Sequence, residues 1–143
     1  YQLARAVRPD KMCLAALSAT LGHYLKDEAL GEIPIWQMIA AKDEDLRQRV
    51  DNWISSLGFG TRIRGESTVG GGSLPEETLP TWLLSLAPHH PDAFARHLRS
   101  ADPPVITRIE QDRVLLDPRT VLQEQDASLL NALDSLRGKI PIK

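Results

Sequence analysis

Apolar residues recur at helical spacing from the first turns of the chain. Between Asp10 and Leu25, Leu14, Leu17, Leu21 and Tyr24/Leu25 fall on one stripe, the 3.6-residue period of a helix with one buried side. Pro9 near the first turn and Gly22 near the end bracket it. Its other side carries Cys13, Ala16 and Thr20, small enough for another backbone to come close, so the pattern predicts a helix buried on two sides. Glu32 to Ala40 reads as a short second helix with Ile35, Trp36 and Ile39 inward. Asp43 to Leu57 reads as a third. Leu46, Val50, Trp53, Ile54 and Leu57 make its stripe, Arg47, Gln48, Arg49 and Asp51 face water, and Gly58 and Gly60 end it.

The period then changes. Phe59 to Glu66 alternates charged and apolar residues around Arg62, Ile63 and Arg64, the mark of a half-exposed strand, and Thr81 to Ala87 is an apolar run suited to a central one. Pro91 to Ala101 returns to helix with Phe94 and Leu98 inward. Val105 to Ile109 and Val114 to Leu116 read as two strands joined by the turn Glu110-Gln111-Asp112-Arg113, a hairpin. Asp126 to Leu136 closes the chain as a helix striped by Leu129, Leu130, Leu133 and Leu136. Three helices, then strands interleaved with one helix, then a last helix predict an α/β chain of the α+β kind. Its sheet is small and mainly antiparallel, with helices over one face.

Composition narrows the class. A chain of 143 residues with 42% apolar content supports one domain with a real core. The formal net charge of −2 is unlike that of a free-standing nucleic-acid binder, so RNA contacts are expected to be local or made elsewhere. The single cysteine, Cys13, excludes an internal disulfide framework and fits a reducing cytoplasm. No apolar run reaches the length of a membrane span. The chain opens at Tyr1 without an initiator Met, close to a helix that needs a partner. A tag remnant or proteolysis would explain this; the preferred expectation is the C-terminal piece of a longer protein.

Arg5 and Arg8 stand just ahead of Pro9-Asp10 and the first helix. A helix start exposes unpaired N–H groups and partial positive charge, and two guanidiniums beside it form a credible pocket for a small multivalent anion. The plainer reading leaves both arginines solvated. The run Val69-Gly70-Gly71-Gly72-Ser73-Leu74-Pro75 permits close backbone approach and an anion nest completed by the Ser73 hydroxyl, but it serves equally as a flexible connector. It lacks the lysine and spacing of a P-loop. Arg108 and Arg119, on or just after the two late strands, suit a carboxylate or phosphate, or internal ion pairs with Glu110 or Asp117. His89-His90 with Asp92 has no further ligand at metal spacing, and His23 and His97 read as helix residues. Lys11 opens a helix, where a solvated lysine is ordinary. No Ser-His-Asp or Cys-His set assembles, so the residues alone look incomplete as an enzyme.

Three stretches, in order, carry a resemblance. Leu-Ala-Arg-Ala-Val-Arg-Pro-Asp-Lys-Met-Cys-Leu-Ala-Ala-Leu (3–17), Gly-Gly-Gly-Ser-Leu-Pro (70–75) and Pro-Pro-Val-Ile-Thr-Arg-Ile-Glu-Gln-Asp-Arg-Val-Leu-Leu-Asp-Pro-Arg-Thr-Val (103–121) resemble segments of bacterial selenocysteine synthase, the L-seryl-tRNA(Sec) selenium transferase family. Thr107 stands where that hairpin is expected to carry glycine. The resemblance implies the C-terminal small domain of an aminotransferase-like, fold-type-I pyridoxal 5'-phosphate enzyme. Residues 1–27 would be the active-site segment and connecting helix, and 28–143 the small domain. It implies that the Schiff-base lysine lies in a large domain upstream, so that this chain holds no catalytic residue of that kind. Arg5 and Arg8 fall on the family's paired active-site arginines. The implied substrates are seryl-tRNA(Sec) and selenophosphate, and the implied assembly is a homo-oligomeric ring of dimers, with no membrane association. Two alternatives stay open: a related pyridoxal-phosphate lyase or aldolase acting on a small amino acid or amino sugar without tRNA, and an autonomous interaction module.

Overall fold

The computed structural model describes residues 7–70 and 74–138, with the backbone alone for 74–76. The chain divides into two compact units, Tyr1–Ala40 and Ala41–Lys143. In the first, helix α1 (Lys11–Leu25) is followed by α2 (Ala29–Glu32) and α3 (Pro34–Ala40). Asp10 is extended and accepts the Cys13 backbone N–H at 2.8 Å, satisfying one of the donors a helix start leaves open. That bond holds the Asp10 carboxyl below its ordinary range. At the far end, Asp27 turns the chain with φ 57, and Trp36 Nε1 donates to the Tyr24 hydroxyl at 2.5 Å. The second helix, expected over Glu32 to Ala40, is present from Pro34 to Ala40, and a separate short helix, Ala29–Glu32, precedes it. Ile33 is extended at φ −94, ψ 115 because the following Pro34 disfavours a helical conformation before it.

The burial of α1 on two sides is not observed. None of its residues is buried, and Leu14, Leu17 and Leu21 remain 49%, 55% and 51% exposed. Two short helices offer too little surface to sheathe fifteen residues that are apolar or small nearly all round.

The second unit starts with α4 (Asp43–Leu57), whose first turn carries Asp43, Glu44 and Asp45, acids that suit the positive end of the helix dipole. Gly58 ends it in the left-handed region at φ 71, donating its N–H to Ile54 O at 2.7 Å. Strands β1 (Thr61–Gly70) and β2 (Leu74–Leu86), helix α5 (Pro91–Arg99), strands β3 (Arg108–Glu110) and β4 (Arg113–Leu116), two short 3-10 turns and helix α6 (Asp126–Asp134) follow. The sheet is antiparallel in the order β1-β2-β4-β3. Leu84 lies opposite Leu116 and Leu86 opposite Val114. These four pack with Val50, Trp53 and Leu57 of α4, Phe94 and Leu98 of α5, and Leu129 and Leu133 of α6 in one core. The unit is thus an α+β domain with its helices against one sheet face, as the order of elements predicts.

Strand boundaries move: β1, expected over Phe59 to Glu66, runs Thr61–Gly70, and the starts of β2 and β3 shift for stated reasons. β2 begins at Leu74, well before the Thr81 expected. Pro75 and Pro80 argue against a strand there, yet β4 pairs with β2 only over Leu84–Leu86, and an edge tolerates proline. β3 begins at Arg108, not Val105, because the Val105 N–H bonds Leu98 O at 2.9 Å. The predicted hairpin is present, closed by Gln111 and Asp112 at φ 47 and 58, the positive values of a two-residue turn matched to strand twist.

On the other sheet face a side chain at Gly65 has no room: a Cβ there would meet Leu83 Cδ1 at 2.3 Å. Gly65→Ala is expected to cost about 1–3 kcal/mol through overpacking, seen as a lower urea midpoint at unchanged slope.

Candidate functional site

The exit of β4 is the polar centre of the second unit. Asp117-Pro118-Arg119-Thr120 leaves the strand in a 3-10 turn. Asp117 Oδ1 accepts from the Arg119 backbone N–H at 2.9 Å and from Thr81 Oγ1 at 3.0 Å, and Oδ2 accepts from Ser67 Oγ at 2.5 Å. Thr81 and Ser67 are buried, so the carboxylate supplies the acceptor each hydroxyl needs away from water. The Arg119 guanidinium, 7% exposed, donates to the carbonyls of Ala41 at 3.2 Å and Pro80 at 2.8 Å. Burial lowers its affinity for the proton, opposed by the charges of Asp117 and Asp43.

Arg49 holds the same corner from α4. It grips Asp126 through two nitrogens, at 2.5 and 3.1 Å, and donates to Pro118 O at 2.8 Å and Val121 O at 3.0 Å. The water-facing position expected for Arg49 is corrected here, since its side chain is only 18% exposed. The helical period assigns a face, and the loop packed over that face is invisible to it.

Along the open sheet face, Ser67, Thr107, Asp117, Leu83, Leu115 and Arg108 line a recess of about 390 Å³. Arg108 pairs with Glu110 at 2.8 Å and reaches Glu66 O at 3.3 Å. Glu66 and Arg108 belong to the two outer strands, β1 and β3, so the sheet is curled strongly enough for one side chain to span its concave side. On the helix-covered face, Arg62 and Arg64 stack on Trp82 at 4.9 and 4.4 Å from the ring centroid. They also pair with Asp51 and Asp43 of α4. Asp43 further accepts from Trp82 Nε1 at 3.1 Å. Hydrogen bonds from Arg64 first, then Trp82, hold its carboxyl below the ordinary value of 3.8.

Arg8 is exposed, ahead of α1, and takes no salt bridge among the described residues. Arg5, Gly72 and Ser73 lie outside the described residues. Arg108 and Arg119 bond the carbonyls of Glu66 and Pro80, which face each other across one rung of β1 and β2. His23 pairs with Glu28 at 2.9 Å and His97 Nδ1 lies 2.6 Å from Ala93 O; His89 and His90 are exposed. No group of three or more metal-binding side chains converges among the described residues. Sequence reasoning missed the tie from Asp117 to Ser67 and Thr81. The Asp-Pro pair marks a turn, but nothing local says which strands it serves.

The second unit is a small α+β domain, and comparison with known proteins gives the family. Residues 1–122 match the family model described as SelA: L-seryl-tRNA selenium transferase. The L-seryl-tRNA(Sec) selenium transferase of Moorella thermoacetica is 40% identical over 98% of this chain and 32% of its own length. That of Nitratidesulfovibrio vulgaris is 40% identical over 95% and 31%, and that of Clostridium perfringens 36% identical over 96% and 32%. The chain belongs to the L-seryl-tRNA selenium transferase family and spans about a third of the length of the curated relatives it matches. No helix among the described residues is long and apolar enough to cross a membrane.

A pyridoxal-phosphate site needs a lysine set in a cradle for the ring and its phosphate. The described lysines, Lys11, Lys26 and Lys42, are all exposed, and none lines the recess above. The described residues do not form that site.

Asp117→Ala is expected to cost about 1–3 kcal/mol by stranding two buried hydroxyls, measured by chemical denaturation, with Asp117→Asn milder. Asp43 has a folded pKa below its unfolded one, so its contacts stabilise in full above about pH 4 and are lost as pH falls through the folded value. The stability gap between wild type and Asp43→Asn should be flat near neutrality and close in acid.

Proposed function

We propose that this chain is the C-terminal portion of an enzyme that converts seryl-tRNA(Sec) to selenocysteinyl-tRNA(Sec), with selenophosphate as selenium donor. The observation that carries the reading is the 40% identity, over 98% of the chain, to a protein named for that reaction. Pyridoxal 5'-phosphate, which activates the serine β-carbon for replacement of its hydroxyl, is held by the part of the protein outside this chain. The assembly is a homo-oligomer, and the enzyme works in the cytoplasm. In this reading residues 1–27 bring Arg5 and Arg8 to the active site, and the remainder is the small domain. Two guanidiniums there would hold the donor's oxyanion by charge-assisted hydrogen bonds and position it for transfer. The exposed Arg8, with no carboxylate partner among the described residues, is consistent with that role. Gly72, Ser73 and Arg108 remain secondary candidates. Arg119 is a structural residue in this reading, its guanidinium given to backbone carbonyls.

The test is selenium transfer by the full-length protein to seryl-tRNA(Sec), with selenophosphate supplied. No selenocysteinyl-tRNA from well-folded, cofactor-loaded protein would exclude the reading. Arg8→Ala or Arg5→Ala should slow transfer about tenfold to a hundredfold, the loss of one hydrogen bond to a charged group, while the cofactor's visible absorbance is unchanged.

A further inference from the structure

The outer edge of β3 is left unused by the functional reading. The order β1-β2-β4-β3 puts β3 at a sheet edge, all three of its residues are exposed, and no strand lies beyond it among the described residues. Across the hairpin, Glu110 faces Arg113, Ile109 faces Val114 and Arg108 faces Leu115. Residues flanking a two-residue loop exchange backbone hydrogen bonds, and the ladder then alternates. Arg108 and Glu110 therefore turn their N–H and C=O groups toward β4, and Ile109 turns both of its own outward. Side chains alternate as well: Ile109 shares the face of buried Val114 yet is 36% exposed, and Arg108 and Glu110 stand together on the opposite face.

We propose that β3 pairs antiparallel with β3 of a second copy about a twofold axis at Ile109, joining the two sheets edge to edge. In that register the two Ile109 residues exchange both free backbone hydrogen bonds and set their side chains together. Arg108 of each copy meets Glu110 of the other. The run Arg-Ile-Glu is self-complementary in charge, and sliding the axis to Arg108 or Glu110 would put like charges opposite each other. The pair that Arg108 already makes with Glu110 at 2.8 Å becomes an alternating quartet of two guanidiniums and two carboxylates. The contact also covers a bare sheet edge, a surface that otherwise invites unspecific pairing.

Sedimentation velocity of the 143-residue chain across a concentration series tests this. So short an edge predicts weak association, with a dissociation constant on the order of 0.1–1 mM. Arg108→Glu should remove self-association, and the exchange Arg108→Glu with Glu110→Arg should restore it. Independently, Ile109→Cys in a Cys13→Ser background should give a covalent dimer on mild oxidation, because a hydrogen-bonded pair sets its Cα atoms about 5.5 Å apart, within disulfide reach. A chain monomeric throughout, self-association unmoved by Arg108→Glu, or no cross-link at position 109 overturns the proposal.

Discussion

The turn Asp117-Pro118-Arg119 is the point on which the second unit depends, because it engages both faces of the sheet and the helix layer at once. On the open face the Asp117 carboxylate satisfies hydroxyls from β1 and β2. In the sheet plane Arg119 binds the carbonyls of Ala41, just before α4, and Pro80 of β2. Arg49 reaches from α4 to bind Pro118 O, Val121 O and the carboxylate of Asp126 that opens α6. A buried polar group stabilises only when its partners are in place, so this corner sets the position of every strand and helix that supplies one. The apolar core makes the unit compact; the corner makes its arrangement single-valued.

Much of the positive charge in this unit is spent internally. Arg47, Arg49, Arg62, Arg64, Arg108 and Arg137 each pair with a carboxylate of the same chain. Three of these, those of Arg49, Arg62 and Arg64, join different elements, and Arg62 and Arg64 add stacking on Trp82. Such pairs register α4 against β1 more than they attract an outside anion. Arg8 lies in no ion pair among the described residues.

Helix α4 was legible because its buried stripe is long. Leu46, Val50, Trp53 and Leu57 recur every three or four residues, and all four are buried. The late hairpin was legible because its turn is a polar quartet between β-forming runs. β2 was half legible: Leu83 to Leu86 announce a strand, but Pro75 and Pro80 conceal its first half, since tolerance of proline depends on which neighbour is missing. Of the site, the arginines could be named but not sorted. Arg49 and Arg119 look like Arg47 on paper; only the packed loop of 117–126 distinguishes a buried clamp from a solvated charge.

By itself the amino-acid order determined the class of the chain, the existence of most elements and the family motifs, because periodicity, turn chemistry and motif spacing are properties of neighbours. Tertiary structure alone decided that Asp117 serves two strands, that Arg108 spans a curled sheet to Glu66 and that β3 is left as an edge. Those outcomes rest on contacts between residues far apart in the chain, for example 50 positions between Ser67 and Asp117. Whether such groups meet is set by how layers pack, not by any local preference.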